Sequence, residues 1–488
     1  MATAQLELQK LLIGGQWTEA RSGRAFERTD PFTGEPAGTA AAAKREDARA
    51  AADAAAEAFG EWSTSPPSHR RELLQKAAAL LTERAEEIAA TVTQETGGTF
   101  GWGMFNCKLA AGMLGEAAAQ TTAVRGEVIP SDVPGLLAMG LRQPAGVVVG
   151  IAPWNAPVIL GTRAVASPLA YGNTVVLKAS EICPHTHAEI ARALDDAGLP
   201  PGAINLITHD PEDAPDVVDE LIAHPAVRRV SFTGSTRVGR LVAENAARHL
   251  KRVLLELGGK APMVVLADAD LDEAVAAAKF GAFMHQGQIC MSTERIVADR
   301  SISADFATKL SEKARALKVG DPREADTQLG PLVNASAVER VAGLVEDAVS
   351  HGAKVLSGGE PDGPLFPPTV LAGVTPKMRV YSEESFGPIV GIIEVEGPEE
   401  AVRVANDTEY GLAAAVFGRH VPTALDIARR IESGICHVNG STVHDEAQMP
   451  FGGVKASGWG RFGGTAALEE FTELRWMTVQ HGSRQYPL

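Results

Sequence analysis

The sequence predicts an α/β protein of two domains, each built around a sheet of mostly parallel strands. Two observations carry this. Short apolar, β-branched runs alternate with helix-like stretches in two successive series, a rhythm that produces parallel strands joined by right-handed crossovers. A chain of 488 residues, 45% hydrophobic and 22% charged, is long enough for more than one buried core without a disulfide or metal staple.

Near the amino end, Ile13-Gly14-Gly15-Gln16-Trp17 and Asp30-Pro31-Phe32-Thr33-Gly34 read as short strands joined by turns. The alanine-rich stretch 40–58 suits helix. A long helix is expected after Pro66-Pro67-Ser68, because Leu74, Ala77, Leu81, Ala85, Ile88 and Val92 recur at three-to-four spacing and make one buried stripe. From Gly146 the first alternating series begins, with strands expected at 147–151, 174–177, 204–207, 227–232 and 253–255. Helices are expected between them, for example over 186–195 and 236–250. Ligands of such sheets sit beyond the carboxyl ends of the strands. The second series starts at Pro262-Met263-Val264-Val265-Leu266 and runs to about Val438. Residues 121–142 and those from Phe471 onward follow neither rhythm.

Composition narrows the function. Forty-five basic against 61 acidic residues leave a net charge of −16, a field that repels phosphate backbones and argues against nucleic-acid partners. The four cysteines, Cys107, Cys183, Cys290 and Cys436, form no CxxC pair and no cluster at metal spacing. That pattern suggests free thiols in a reducing compartment and no bound metal. Residues 1–10 lack the basic start and apolar run of a secretory signal, and no apolar stretch reaches the roughly 18 residues of a membrane span. The expectation is a cytoplasmic protein without membrane partners.

Three segments can carry chemistry. The dinucleotide fingerprint GxGxxG is missing after the first strand. Instead, Ser231-Phe232-Thr233-Gly234-Ser235-Thr236-Arg237-Val238-Gly239 follows a strand and opens a helix. Gly234 and Ser235 there would offer backbone N–H groups to a pyrophosphate, although such a turn is more often simply a helix cap. Glu256-Leu257-Gly258-Gly259-Lys260 puts a carboxylate at a strand's carboxyl end. Gly287-Gln288-Ile289-Cys290 offers a thiol, which is a nucleophile only with a lowered pKa or a nearby base and is otherwise a small buried hydrophobe. Cys107, Cys183 and Cys436 sit in helix, pre-proline and strand-like contexts and are read as structural.

These segments resemble the aldehyde dehydrogenase superfamily over nearly the whole chain. In order they are Pro153-Trp154-Asn155, Val176-Leu177-Lys178-Ala179-Ser180-Glu181, Phe232-Thr233-Gly234-Ser235-Thr236, and Glu256-Leu257-Gly258-Gly259-Lys260. Gly287-Gln288-Ile289-Cys290, Glu383-Glu384-Ser385-Phe386-Gly387-Pro388 and Pro450-Phe451-Gly452-Gly453-Val454-Lys455 complete the series. The resemblance implies the aldehyde dehydrogenase-like fold: a Rossmann-type NAD-binding domain over 1–122 and 143–256, an α/β catalytic domain over 257–456, and a β-strand oligomerisation arm from 123–142 and 471–488. It also implies a homodimer or homotetramer.

Roles follow from the same resemblance. Cys290 matches the catalytic thiol, Glu256 the base that activates water, and Asn155 the amide that holds the oxyanion with the Cys290 N–H. Lys178, Ser180 and Glu181 match the adenosine-ribose region, and Glu181 would repel a 2′-phosphate, so NAD is expected as cofactor. Gly234 and Ser235 match the pyrophosphate turn, Trp154 and Val238 the walls of the adenine half, and Glu384 and Phe386 the nicotinamide side. Ile151, Pro153, Leu257 and Gly258 complete the expected cofactor site. Because Glu256 is present, hydrolysis to a free acid is expected rather than transfer to coenzyme A.

For the aldehyde, His285-Gln286-Gly287-Gln288-Ile289-Cys290-Met291-Ser292-Thr293-Glu294-Arg295, His444-Asp445-Glu446-Ala447-Gln448-Met449-Pro450 and Ala226-Val227-Arg228-Arg229-Val230 look like the salicylaldehyde, benzaldehyde and vanillin dehydrogenase branch. A small Ala156 leaves room for a flat ring, and Arg163 could stack on it or donate to a ring hydroxyl, or instead pair with a carboxylate. Trp102, Phe105, Ile289, Met291, Val443 and Phe451 are expected beside the substrate, whereas His444 is given no catalytic role. The alternatives are an aliphatic or succinate-type semialdehyde dehydrogenase, and a non-catalytic member of the fold.

Overall fold

Strands that read VVVGI, TVVLK and INLI, at Val147–Ile151, Thr174–Lys178 and Ile204–Ile207, are buried at every position, which requires helices on both faces of their sheet. A computed structural model of the chain describes residues 6–486. Residues 1–5 of the expected first domain and 487–488 of the expected arm lie outside the described residues. The first sheet has eight strands. Across it run Gly458–Trp459, Arg252–Glu256, Val227–Thr233, Val147–Ile151, Thr174–Lys178, Ile204–Ile207, Leu11–Ile13 and Gln16–Thr18. The five central strands are parallel, as the first alternating series predicts.

Their order has a functional consequence. From Val147–Ile151 the chain moves one way to Thr174–Lys178 and Ile204–Ile207, then returns to the other side for Val227–Thr233 and Arg252–Glu256. The direction reverses between Val147–Ile151 and Val227–Thr233, and a crevice opens beyond the carboxyl ends of strands at such a point.

The second series forms a seven-stranded sheet. Its order is Lys354–Ser357, Thr369–Ala372, Ile389–Val395, Thr293–Asp299, Ala261–Val265, Ala413–Phe417 and Ile435–Val438, parallel except at the first strand. The two segments that fit neither rhythm pair with each other. Leu136–Pro144 lies antiparallel to Thr472–Gln480 on one side and to Glu127–Ile129 on the other. This small sheet carries exposed Val128, Leu474 and Trp476.

Two expectations are corrected. The long helix after Pro66 is two helices, Pro67–Glu83 and Ala85–Thr96, joined at Arg84 with φ −91° and ψ 9°. No proline or glycine causes the break; Arg84 reaches across to Asp196 (2.7 Å), a long-range contact that periodicity does not encode. The stripe from Leu74 to Val92 is nonetheless buried. The segment Asp30 to Gly34 is a turn between Ala25–Thr29 and Pro36–Ala41, closed by the Asp30 carboxylate accepting from the N–H groups of Phe32 (2.8 Å) and Thr33 (3.1 Å).

Candidate active site

Loops from both sheets meet at the reversal point and line an open cleft of about 860 Å³. From the first sheet come Pro153, Trp154 and Asn155 after one strand, Gly234 and Ser235 after the next, and Glu256 and Gly258 at the end of a third. From the second come Cys290, which precedes Thr293–Asp299, and Glu384 and Phe386, which precede Ile389–Val395. Thiol, carboxylate and amide therefore line one cavity, although 135 residues separate Asn155 from Cys290 in sequence.

Cys290 follows an unusual stretch of backbone. His285, Gln286 and Gly287 take φ values of 48°, 56° and 68°, and the left-handed region costs a non-glycine residue about 1–2 kcal/mol. Side-chain hydrogen bonds hold this stretch. The Gln286 amide donates to the carbonyls of Pro331 (2.8 Å) and Gly97 (3.2 Å), and the Gln288 side-chain carbonyl accepts from Val333 N–H (3.0 Å). Gly259 completes the fit, because a Cβ there would lie 2.3 Å from the Cys290 carbonyl oxygen. The thiol is half-buried and free. Burial, and next the negative charge of Glu256, raise its pKa well above the ordinary thiol value, so the resting group is the neutral thiol.

Glu256 is 1% exposed, and neither carboxyl oxygen has a hydrogen-bond partner among the described residues. Burial raises its pKa to about 7, and the nearby Arg163 charge limits the rise. A carboxylate that titrates near neutrality accepts a proton from a thiol or a water far more readily than an ordinary surface Glu. Asn155 is fixed from both ends. Its backbone carbonyl accepts from the Trp102 indole N–H (3.0 Å), and its side-chain NH₂ donates one hydrogen to the Gln288 carbonyl (2.9 Å). An amide NH₂ has two hydrogens, so one stays available to an oxyanion.

Three features of the cleft suit the pyrophosphate and nicotinamide parts of a dinucleotide. Ser235 caps helix Thr236–Arg248, its side chain accepting from Val238 N–H (3.4 Å), and Ser235, Thr236 and Arg237 line the cavity at that helix N-terminus. Trp154 and Phe386 meet edge to face at 5.8 Å across it. Glu384 accepts from Gly259 N–H (3.0 Å) and fills the space where a Gly258 Cβ would stand, 2.6 Å from its carboxyl oxygen. Burial and the neighbouring Glu294 raise its pKa to about 8.

The other expected cofactor residues lie away from the cleft wall. Ile151 and Lys178 end their strands, and Ser180 and Glu181 follow on the same carboxyl edge. Burial opposes charge on Glu181, but Lys178, whose ammonium is 3.9 Å away, and His209 hold its pKa below the ordinary value. Leu257 is taken up by packing, since a Cβ on Gly239 would lie 2.4 Å from it.

The expected aldehyde-side residues gather behind Cys290. Trp102, Ala156, Ile289, Met291 and Phe451 belong to one buried apolar cluster, with Cys290 and Val443 packed against it. Phe105 stands at the edge, 42% exposed, stacked on Trp102 at 5.6 Å. Arg163 is buried and ion-paired to Asp445, with its guanidinium 4.2 Å from the Phe451 ring centroid. The carboxylate-pairing reading of Arg163 therefore holds.

Sequence reasoning missed several groups. Arg340, in helix Ala335–Ser350, donates to the carbonyls of Glu384 (3.2 Å), Ser385 and Phe386 (3.4 Å) and so clasps the loop that carries Glu384. Beneath that loop a sealed Lys260–Glu294 pair accepts Ser385 N–H and Phe386 N–H on the Glu294 carboxylate. Arg237, Glu409 and Tyr410 also line the cleft. Lys260 and Glu294 lie inside segments that sequence reasoning had singled out, whereas Arg340 gives no local signal.

The model of the aldehyde dehydrogenase family matches residues 17–477. A vanillin dehydrogenase of Pseudomonas fluorescens is 57% identical over 478 residues, covering 98% of this chain and 99% of that protein. A benzaldehyde dehydrogenase [NAD(+)] of Pseudomonas putida is 41% identical, covering 98% and 97%. The crystal structure of a salicylaldehyde dehydrogenase from Pseudomonas putida G7 complexed with salicylaldehyde superposes with a TM-score of 0.97 at 46% identity, covering 99% of this chain and all of that one.

Proposed function

The chain belongs to the aldehyde dehydrogenase family and is an aldehyde-oxidising enzyme that uses NAD(P); from that premise we propose that it oxidises aromatic aldehydes to carboxylic acids with NAD⁺. The observation that carries the aromatic reading is the full-length similarity to proteins named for vanillin, salicylaldehyde and benzaldehyde. The apolar cluster behind Cys290 supports it, because a flat ring buries more apolar area there than a short polar aldehyde can. The pairing of Arg163 with Asp445 speaks against a succinate-type substrate, whose carboxylate would have to displace Asp445.

Cys290 is the nucleophile in this reading. As its Sγ adds to the aldehyde carbon, Glu256 takes the thiol proton, and the new oxyanion accepts from the free hydrogen of Asn155 Nδ2 and from Cys290 N–H. Each such donor is worth about 3–4 kcal/mol of barrier. A nicotinamide dinucleotide bound in the cleft supplies the acceptor for the hydride that leaves the adduct. The product of that step is a thioester on Cys290. Glu256 first passes the thiol proton to solvent; it then draws a proton from water as that water attacks the thioester, the proton goes to the departing sulfur, and the acid leaves with the thiol restored. Trp154, Gly234, Ser235, Glu384 and Phe386 hold the dinucleotide, and Arg340 and Lys260–Glu294 fix the loop that carries two of them. Ionised Glu181 favours NAD⁺ by repelling a 2′-phosphate.

The domain division in this reading is 1–122 with 143–256 for the dinucleotide, 257–456 for the thiol, and 123–142 with 471–488 as an arm. Exposed Val128, Leu474 and Trp476 on the arm suit a homodimer or homotetramer, and four free cysteines suit a cytoplasmic setting. Steady-state rates on benzaldehyde, salicylaldehyde, vanillin, hexanal and succinate semialdehyde, each with NAD⁺ and NADP⁺, test the proposal. The aromatic aldehydes should give the larger kcat/KM, and NAD⁺ the smaller cofactor KM. A clear preference for hexanal or the semialdehyde overturns the substrate assignment.

A further inference from the structure

The ion pair behind the thiol has one oxygen to spare. Asp445 uses Oδ2 to accept from Arg163, while its Oδ1 is sealed from solvent and has no hydrogen-bond partner among the described residues. The two side chains are 10% and 6% exposed, and the Phe451 and Phe462 rings lie 4.2 and 5.5 Å from the guanidinium. An anionic oxygen in such surroundings is costly to leave without a donor, which is why buried carboxylates in folded proteins are almost always fully hydrogen-bonded. The pair also stands at cavities. It lines a narrow one, of about 20 Å³, with Met113, Ala166, Phe451 and Phe462. Asp445 also borders a second, of about 280 Å³, beside Ile435, His437 and His444. Phe451 lines both cavities and belongs to the apolar cluster against which Cys290 packs.

We propose that Asp445 is a specificity-determining residue, its free Oδ1 accepting a hydrogen bond from a phenolic hydroxyl on the substrate ring while Arg163 holds the carboxylate in place. The ligand class is the hydroxylated benzaldehydes. This inference rests on the aromatic reading given above. A ring without the hydroxyl leaves Oδ1 unpaired in the bound complex, and a site built to meet a substrate O–H discriminates strongly against an analogue that lacks it. Arg163 contributes differently. Its guanidinium lies 4.2 Å from the Phe451 ring centroid, donates to Asp445 and offers no acceptor of its own.

The test compares kcat/KM at saturating NAD⁺ for benzaldehyde, the three hydroxybenzaldehydes and the corresponding methoxybenzaldehydes. At least one hydroxy compound should exceed benzaldehyde by about tenfold or more, and methylating that hydroxyl should remove the advantage. These arms need only the unaltered protein. The paired change Arg163→Met with Asp445→Leu leaves no lone buried charge and should bring the hydroxy-to-benzaldehyde ratio to about one. An advantage that survives methylation or survives the paired change overturns the proposal, as does the lack of any advantage in the unaltered protein. If benzaldehyde is oxidised well without a hydroxyl preference, this inference alone falls; if every aromatic aldehyde is refused while hexanal is oxidised, the aromatic reading falls with it.

Discussion

The two sides of Cys290 are built from different materials. On the dinucleotide side backbone stands among side chains such as Trp154, Glu384 and Phe386: the turn at Gly234 and Ser235, the glycines after Glu256, and a loop held by Arg340. On the aldehyde side the wall is mostly side chain: Trp102, Ala156, Ile289, Met291 and Phe451, interrupted by one buried ion pair. Backbone groups present the same donors whatever the residue, so a wall of this kind suits one invariant ligand. Side chains set volume and polarity position by position, so the opposite wall can be tuned to one aldehyde among many. The thiol belongs to neither wall.

Changes at that boundary should therefore have the largest effects and should not discriminate between ligands. Cys290→Ser should lower turnover of every aldehyde by about 10⁴-fold or more, followed as NADH absorbance, with dinucleotide binding retained. Residual activity within tenfold of the unaltered protein would remove Cys290 from the chemistry.

Glu256→Gln should come next, at about 10²–10⁴-fold, because the thiol and the hydrolytic water both lose their base. The unaltered protein should gain rate as pH rises through about 7, the value to which burial lifts Glu256, and the variant should lose that rise. Stability gives an independent reading. The folded-state pKa of about 7 exceeds the ordinary 4.5, so the folded chain keeps a proton that the unfolded chain releases. The resulting stabilisation is complete below about pH 4.5 and is lost as pH rises through about 7, a change of about 3 kcal/mol at 1.36 kcal/mol per pH unit. Denaturant melts of the unaltered protein should show this decline, and those of Glu256→Gln should not.

A smaller pair of changes separates the two walls. Gly258→Ala puts a Cβ against the Glu384 carboxyl, whose flexible end can move at little cost to folding. It should raise the KM for NAD⁺ about tenfold and leave the order of preference among aldehydes unchanged. Ala156→Val enlarges a side chain in the apolar cluster, where overpacking costs about 1–3 kcal/mol. It should reorder aldehyde preference by about tenfold and leave the KM for NAD⁺ alone. Both parameters moving together in either variant would mean that the walls are not independent.

Local order in the chain made much of this legible. The apolar runs from Val147 to Leu255 locate the five parallel strands to within a residue or two, because burial on both faces leaves a continuous signature. The motifs around Asn155, Glu256 and Cys290 single out three residues that do line one cleft. The gatherings on the aldehyde side were only partly legible. Trp102 and Phe451 fall in one apolar cluster, but the partner of Arg163 lies 282 residues away, and residue spacing carries no record of such a pairing. Arg340 went unnoticed for the same reason, because its three acceptors are backbone carbonyls that have no residue identity.

By itself, then, the sequence determined what depends on neighbours along the chain: strand, helix, turn, and the order of motifs that marks the family. Only the tertiary structure decided the break at Arg84, the pKa of Glu256 near 7, and the unpaired oxygen of Asp445. The reason is physical. Periodicity and capping act over a few residues, whereas desolvation and ion pairing depend on every atom that folding brings within several ångströms, wherever it lies in the chain.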